Sequence, residues 1–428
     1  MTIAADRSRD TAPATTVTRL IGPGLLVAAA GIGAGDIVAA TLAGAGHGLA
    51  LLWVVALAAF LKGVLNEGIA RWQLATGTTA LEGWTRHLPW WVRAYFVGYL
   101  VIWTVSVSAA LTSACGLGIS NLTNGFVSRP VGAVAHSLVG GGLVLIGGFS
   151  GFEKVMKALI ATMFFSIVAC AALTLHQPAA VLRGLLVPSI PPAGASSVLS
   201  VLGGVGGSIA MLAYNYWLRE QQMVGPTWIR FLRIDITIAY VFTAIFGMSI
   251  MIVANQAFHV AGVQITNQQA VTRMAETLGA SIGPVGFYAF SIGFWTAVFA
   301  SLLGVWQSIP YLFADCYGLM RKHPPDIRER LKAVTSVPYR ASLAFITLVP
   351  IGFAFLDQPL IVIRTFTIVG SLFIPFLAAT LLYLNNVHIP ADTGVPKNSW
   401  LNNAVLLLAL VVFALVGATE AGFITWGA

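Results

Sequence analysis

Charge is what this chain lacks. Only 9% of its 428 residues are Asp, Glu, Lys or Arg and 57% are hydrophobic, whereas a soluble globular domain carries about 25% charged residues. With a mean hydropathy of +0.85, this composition excludes a soluble enzyme and indicates a polytopic membrane protein. Cysteine is equally scarce. Cys115, Cys170 and Cys316 lie in apolar segments without paired spacing, which gives neither a disulfide framework nor a metal site. No nucleophile–base set and no cofactor motif appears, so an enzyme is not expected. Residues Met1 to Thr18 are polar and lack the apolar core and cleavage site of a cleavable signal peptide. The first 17 residues read as a disordered tail. A single transmembrane domain is expected over 18–428, with no separate soluble domain.

What is present is a series of apolar stretches long enough to cross a bilayer. They fall near 20–44, 49–75, 91–121, 133–149, 155–176, 198–222, 231–256, 282–316, 337–356, 359–386 and 402–425, eleven spans in all. The net charge of +8 would suggest nucleic acid in a soluble chain, but here it collects in alternate loops. With the N-terminus inside, seventeen Lys and Arg fall on inner segments, among them Arg86, Arg93, Arg219, Arg321 and Arg340, against Arg129, Arg183 and Arg273 outside. The positive-inside rule then places the N-terminus in the cytoplasm and the C-terminus outside, in the plasma (inner) membrane.

Two spans are interrupted by glycine-rich, polar sequence. Span one contains Gly31-Ile32-Gly33-Ala34-Gly35-Asp36, and span six contains Gly203-Gly204-Val205-Gly206-Gly207-Ser208 followed by Ala213-Tyr214-Asn215-Tyr216. Non-helical backbone at membrane depth survives only where it lines a cavity inside the protein. One broken helix in each half of a chain points to a transporter's substrate site. The breaks lie five spans apart. That spacing suits two inverted five-helix repeats, about 20–176 and 198–386, plus an eleventh helix at 402–425.

Several anchors resemble the Nramp divalent-metal transporters. They are Gly22-Pro23-Gly24-Leu25-Leu26-Val27 with Leu42-Ala43-Gly44-Ala45 in span one, Ile69-Ala70-Arg71 with Ala75-Thr76-Gly77 after span two, and Ser371-Leu372-Phe373-Ile374-Pro375-Phe376 in span ten. The resemblance covers roughly residues 20–386 and implies an all-α, leucine-transporter-type fold working by alternating access. It also implies a metal site made from Asp-Pro-Gly-Asn in span one, Met-Pro-His-Asn in span six and a Gln in span ten. Those positions hold Gly33, Ala34, Gly35 and Asp36; Leu212, Ala213, Tyr214 and Asn215; and Thr367. A one-residue shift in span six puts Met211 at the Met position. The acids and histidines of the family's proton route have no counterpart in span three (Tyr95 to Asn121), and span six has no His.

Asp36 is the remaining acid at the break, and an intramembrane carboxylate is costly enough to mark a functional site. It has three possible roles: ligand to a hard cation such as Mg²⁺, partner of a coupling Na⁺ with Thr296 or Ser301, or proton carrier. A helix cap is the competing reading. The glycine run 203–207 either packs helices closely or exposes amides to a small anion. Arg219 reads as an inner-end anchor, Tyr214, Tyr216 and Trp217 as pocket wall or packing, and Glu67 with Arg71 as an i, i+4 pair.

The substrate-site candidates are therefore Gly33, Ala34, Gly35, Asp36, Gly207, Ala213, Tyr214, Asn215 and Thr367. Asp36, Thr296 and Ser301 are the coupling-ion candidates. The reading is a secondary transporter for a small non-transition-metal solute, specifically a small anion such as bicarbonate, coupled to Na⁺ or H⁺. The alternative is a divalent cation, Mg²⁺ ahead of Mn²⁺, held by Asp36 and Asn215. A second alternative is a non-transporting membrane sensor. Neither a cofactor nor a nucleic-acid or obligatory protein partner is expected, only the lipid bilayer and the transported solute.

Overall fold

A computed structural model of the chain describes residues 22–192, 194–263, 270–355, 366, 369–370, 372–420 and 423. The disordered tail expected over 1–17 and the site candidate Thr367 lie outside them. Every regular element among the described residues is helical. Helix α1 (Pro23–Gly31) and α2 (Ala34–His47) form one span bent by 60°. α3 (Leu52–Thr76) and the short α4 (Ala80–His87) lead into α5 (Trp90–Leu122). α6 (Arg129–Thr174) has 46 residues. At 1.5 Å per residue it measures about 69 Å, more than twice the roughly 30 Å of a hydrocarbon core. It accordingly supplies two spans, 129–147 and 149–174.

The short α7 (Pro178–Leu186) connects to the second half, which opens on another interrupted span. α8 (Ala195–Gly204) stops, a 3₁₀ turn covers Ile209–Leu212, and α9 (Ala213–Glu220) resumes. Then follow α10 (Ile229–Ala254), α11 (Ala270–Ile282), α12 (Pro284–Met320), α13 (Pro325–Leu331) and α14 (Val337–Leu348). α15 (Phe373–Tyr383) and α16 (Trp400–Glu420) complete the chain. Nine helices among the described residues are long and apolar enough to cross a membrane, the bent pair makes a tenth span, and Phe373–His388 is a shorter apolar helix in expected span ten.

Burial shows what lies inside. α12 is the most enclosed of the long helices, with 83% of its apolar window buried, whereas α16 has only 33% buried. α1, α2, α8 and α9 pack around α12, α3 and α10. The two interrupted spans thus run through the middle of the bundle, as sequence required of non-helical backbone in lipid.

Three buried aspartates tie the bundle together. Asp235 on α10 accepts the Gly24 amide at 2.7 Å and the Tyr214 hydroxyl at 2.7 Å, which joins α1, α9 and α10. A Cβ on Gly24 would stand 2.8 Å from an Asp235 carboxylate oxygen, so the Gly22-Pro23-Gly24 start of α1 is shaped for this approach. Asp315 on α12 accepts Thr79 Oγ1 at 3.1 Å and the Tyr216 hydroxyl at 2.9 Å. Asp36 is the third. Each carboxylate accepts two hydrogen bonds, which offset the cost of keeping it out of water, and the remaining Asp315 oxygen faces Arg328 at 3.9 Å.

Gly206 and Gly207 have φ of +89° and +77°, a region that side chains with a Cβ enter only at a cost. A Cβ on Gly207 would also lie 3.0 Å from the Gly31 Cα. Gly207→Val is expected to cost about 1–3 kcal/mol of stability. Gly46, with nothing within 4 Å of its would-be Cβ, is expected to tolerate Ala with a neutral or slightly raised melting point. Thermal melts of the two variants in detergent check this; equal midpoints would contradict the backbone argument.

Candidate functional site

The two interruptions meet. α1 ends when Ile32 turns extended after its amide bonds to Ala28 O at 2.7 Å. α2 begins at Ala34 with Gly33 extended before it. α8 ends at Gly204, Val205 is extended, and Gly206 and Gly207 turn left-handed. A Cβ built on Gly31 would lie 3.2 Å from both the Cα and the amide nitrogen of Gly207. The two unwound segments are in backbone contact.

Asp36 fastens them. Its Oδ2 accepts the Gly33 amide at 3.0 Å and its Oδ1 accepts the Gly206 amide at 2.6 Å. The first bond is the helix cap anticipated for the third residue of α2. The second reaches 170 positions along the chain and makes the carboxylate a bridge between the breaks. Charge-assisted bonds of this kind contribute about 1.5–3 kcal/mol each, and Asp36 is 4% exposed.

Lys62 completes the arrangement, and sequence reasoning missed it. Its Nζ donates to Gly203 O at 3.0 Å, capping the last turn of α8, and lies 5.5 Å from the centroid of the Phe413 ring. The side chain is 0% exposed. A lysine in the middle of an apolar span is a signal by the same rule that singled out Asp36. The hydroxyl of Tyr240 is also buried, with no hydrogen-bond partner among the described residues, and its ring packs beside Gly206. An acid, an ammonium, an unpaired hydroxyl and loosened backbone are therefore gathered at one crossing. Such a set offers a small ion compensating charge of either sign together with main-chain groups.

The other candidates divide. Ser301 belongs at the crossing: its hydroxyl donates to Ala30 O at 2.8 Å, and a Cβ on Gly33 would approach it to 2.7 Å. Thr296 donates instead to Ile292 O and Gly293 O of its own helix. Ala34 and Gly35 are buried in the first turn of α2. Asn215 is occupied elsewhere, accepting the Ala80 amide at 3.2 Å and donating to Ile69 O at 3.1 Å. Ile69 lies two helical turns beyond Lys62 on α3, so this amide braces α9 against α3 and α4. Tyr214 is committed to Asp235, and Ala213 opens α9 with its side chain buried. Trp217 donates to Gln307 Oε1 at 2.6 Å, which is packing. Among the described residues, no three His, Cys, Asp or Glu side chains are grouped to hold a metal ion.

Beyond α9 the bundle is latched by ion pairs. Arg219 meets Glu82 at 3.6 Å and Glu329 at 2.7 Å, while Arg328 meets Glu82 at 3.2 Å and Asp315 at 3.9 Å. The anchor expected of Arg219 is thus a cross-link from α9 to α4 and α13. Glu67 and Arg71 form the expected pair, which Arg233 extends at 3.3 Å from Glu67.

Residues 24–420 match the family described as natural resistance-associated macrophage protein-like. The chain belongs to the Nramp family. Nramp proteins named divalent metal cation transporter MntH are among its relatives. The one from Chromohalobacter salexigens is 26% identical over 260 residues, covering 57% of this chain and 58% of that protein. The one from Verminephrobacter eiseniae is 26% identical over 286 residues, covering 63% of each. The alignments therefore span less than two thirds of either relative. In three dimensions the chain is similar to a mutant of the Eremococcus coleocola manganese transporter, with a TM-score of 0.75 at 15% identity, covering 95% of this chain and 88% of that one. It is also similar to MhsT in complex with L-phenylalanine, with a TM-score of 0.58 at 15% identity. The fold is the leucine-transporter type, with spans one and six broken. This Nramp protein has the architecture of an integral membrane protein of that fold.

Burial tends to raise the Glu329 carboxyl, but the hydrogen bond and charge of Lys332, with Arg219 and Arg328 nearby, outweigh it and hold the group below its usual 4.5. A carboxyl lowered in the folded state stabilises above its unfolded value, and that contribution is lost as pH falls through the folded value. The latch is expected to loosen on acidification below about pH 4.5, and Glu329→Gln is expected to flatten that dependence in melts run against pH. An unchanged acid limb in Glu329→Gln would remove Glu329 from the latch.

Proposed function

We propose that this Nramp protein is a secondary active transporter carrying a small inorganic ion through the crossing of its two broken spans, with a divalent cation as the cargo. The supporting observation is the placement of Asp36, an intramembrane carboxylate fixed between both breaks in a family whose curated relatives are named divalent metal cation transporters. Each carboxylate oxygen spends one acceptor site on an amide and keeps another. A hard cation that retains most of its water needs only one or two carboxylates and accepts waters hydrogen-bonded to the rest of its surroundings. That chemistry favours Mg²⁺ first and Mn²⁺ second, since the donors whose bonds place them at the crossing, Asp36, Ser301 and the Ala30 carbonyl, are oxygens. Ser301 and the Ala30 carbonyl are the groups available to a coupling Na⁺, and H⁺ is the other coupling ion the reading admits. The charge asymmetry of the loops supports an N-terminus on the cytoplasmic side.

A second reading rests on Lys62. Its buried ammonium offsets the Asp36 charge at the crossing, and its stem packs beside Gly206. A small anion such as bicarbonate suits a buried ammonium beside loosened backbone.

Flux into proteoliposomes loaded with a divalent-metal reporter and a pH reporter separates the two. Under the first reading Mg²⁺ or Mn²⁺ enters, and Asp36→Ala reduces entry at least tenfold. Internal alkalinisation on adding bicarbonate, without metal entry and abolished in Lys62→Gln, would replace the cation with the anion. Absence of any ion flux from folded protein would leave the scaffold as a sensor and overturn both.

A further inference from the structure

Behind the crossing, on the outer side of α3 and α10, a groove of about 730 Å³ runs between the two helices. Its deep part is apolar and built from small residues, among them Ala56, Ala59, Gly63 and Ala244, with Phe60 and Val241 forming an exposed rim. One end is different. There Arg71, Arg233 and Lys397 converge with Glu67, Ser399 and Asn402, three cations against one acid. Arg71 is 2% exposed. It donates through Nη1 to Asn398 Oδ1 at 2.8 Å and pairs through Nη2 with Glu67. Among the described residues its buried Nε has no hydrogen-bond partner, and leaving a buried charged donor unmade costs more than an average hydrogen bond yields. The groove therefore holds an unspent donor and an excess of positive charge at one end, and a hydrocarbon-lined channel along the rest.

We propose that this groove is a binding site for an anionic phospholipid, with the headgroup phosphate at Arg71, Arg233 and Lys397 and an acyl chain lying along Ala59 and Gly63. The charged end is the one that the loop count places at the cytoplasmic face, where basic pockets between spans take anionic headgroups. Guanidinium groups suit phosphate through paired donors, and two of the three cations here are arginines. The occupant is a lipid and not free phosphate, because a phosphate ion would leave the apolar length of the groove unfilled. The site also has a route to the crossing. Tyr240 lines the groove with one face, and its ring lies 3.5 Å from where a Cβ on Gly206 would stand. A chain seated against Tyr240 buttresses α10 and α3 directly behind the span-six break.

The test uses the full chain purified in detergent and depleted of lipid. Phosphatidylglycerol is added in one arm, phosphatidylcholine of the same acyl chains in a second, and inorganic phosphate in a third, with thermal melting and native mass spectrometry as readouts. Phosphatidylglycerol is expected to raise the melting point by several degrees more than phosphatidylcholine and to remain bound as one adduct. Phosphate alone is expected to do neither. Arg233→Gln/Lys397→Gln alters exposed side chains and is expected to abolish the difference, whereas Arg321→Gln/Lys322→Gln, on a distant loop, is expected to keep it. Equal stabilisation by the two lipids would overturn the proposal, as would stabilisation by phosphate alone. It also falls if the gain survives in Arg233→Gln/Lys397→Gln or is lost in Arg321→Gln/Lys322→Gln.

Discussion

The backbone contact between Gly31 and Gly207 is the constraint on which the remainder of this structure depends. Two helices that cross a membrane can each be interrupted only if the freed main-chain groups find partners inside the protein. Here each interruption supplies partners for the other through Asp36, which takes one amide from each. A single side chain thereby does the work that a row of i→i−4 bonds does elsewhere. The glycines follow from this. Two backbones cannot approach to van der Waals contact with a Cβ between them, and the left-handed turn at Gly206 and Gly207 aims the Gly206 amide at the acid.

Charge is handled on the same principle. Lys62 lies inside the bundle with its ammonium on a freed carbonyl of α8, while Asp36 holds freed amides. Each ion sits at the helix terminus whose partial charge it complements, the acid at the start of α2 and the base at the end of α8. Asp235 and Asp315 repeat the pattern farther along, with hydroxyls of Tyr214 and Tyr216 on successive faces of α9. α9 is held by two acids from two different helices, and the Arg219 latch fixes its far end. Any displacement of α9 must therefore exchange these bonds together.

Much of this was legible in the sequence. Apolar length marked the spans, the glycine-rich interruptions marked where two spans break, and the Glu67–Arg71 spacing marked its ion pair, because each depends on near neighbours or on composition. The capping role of Asp36 was legible for the same reason, its acceptor lying three residues from its donor. The bridge to Gly206 was not, nor was the tie from Asp235 to Gly24, which spans 211 positions. Asn215 shows the opposite failure. An amide beside a break reads as a ligand, but only the packed structure reveals that Ile69 and Ala80 already take both its ends. Lys62 was available to the rule that found Asp36. It lies in a span without a break, so no backbone signal accompanies its charge.

The nearness of Asp36 and Lys62, both beside the Gly206 turn, also bears on what the scaffold is suited to hold. An isolated carboxylate in a low-dielectric crossing attracts any cation, and water is its chief competitor. A fixed ammonium nearby reduces that attraction, so under the proposed function affinity for a cation would depend on the separation of the two charges. Both are tied to the end of α8: Asp36 to the Gly206 amide and Lys62 to the Gly203 carbonyl, three residues apart. A displacement of α8 against α3 would exchange the Lys62 bond and so alter the charge balance around Asp36. Under the proposed transport function, that would tie affinity at the crossing to conformation.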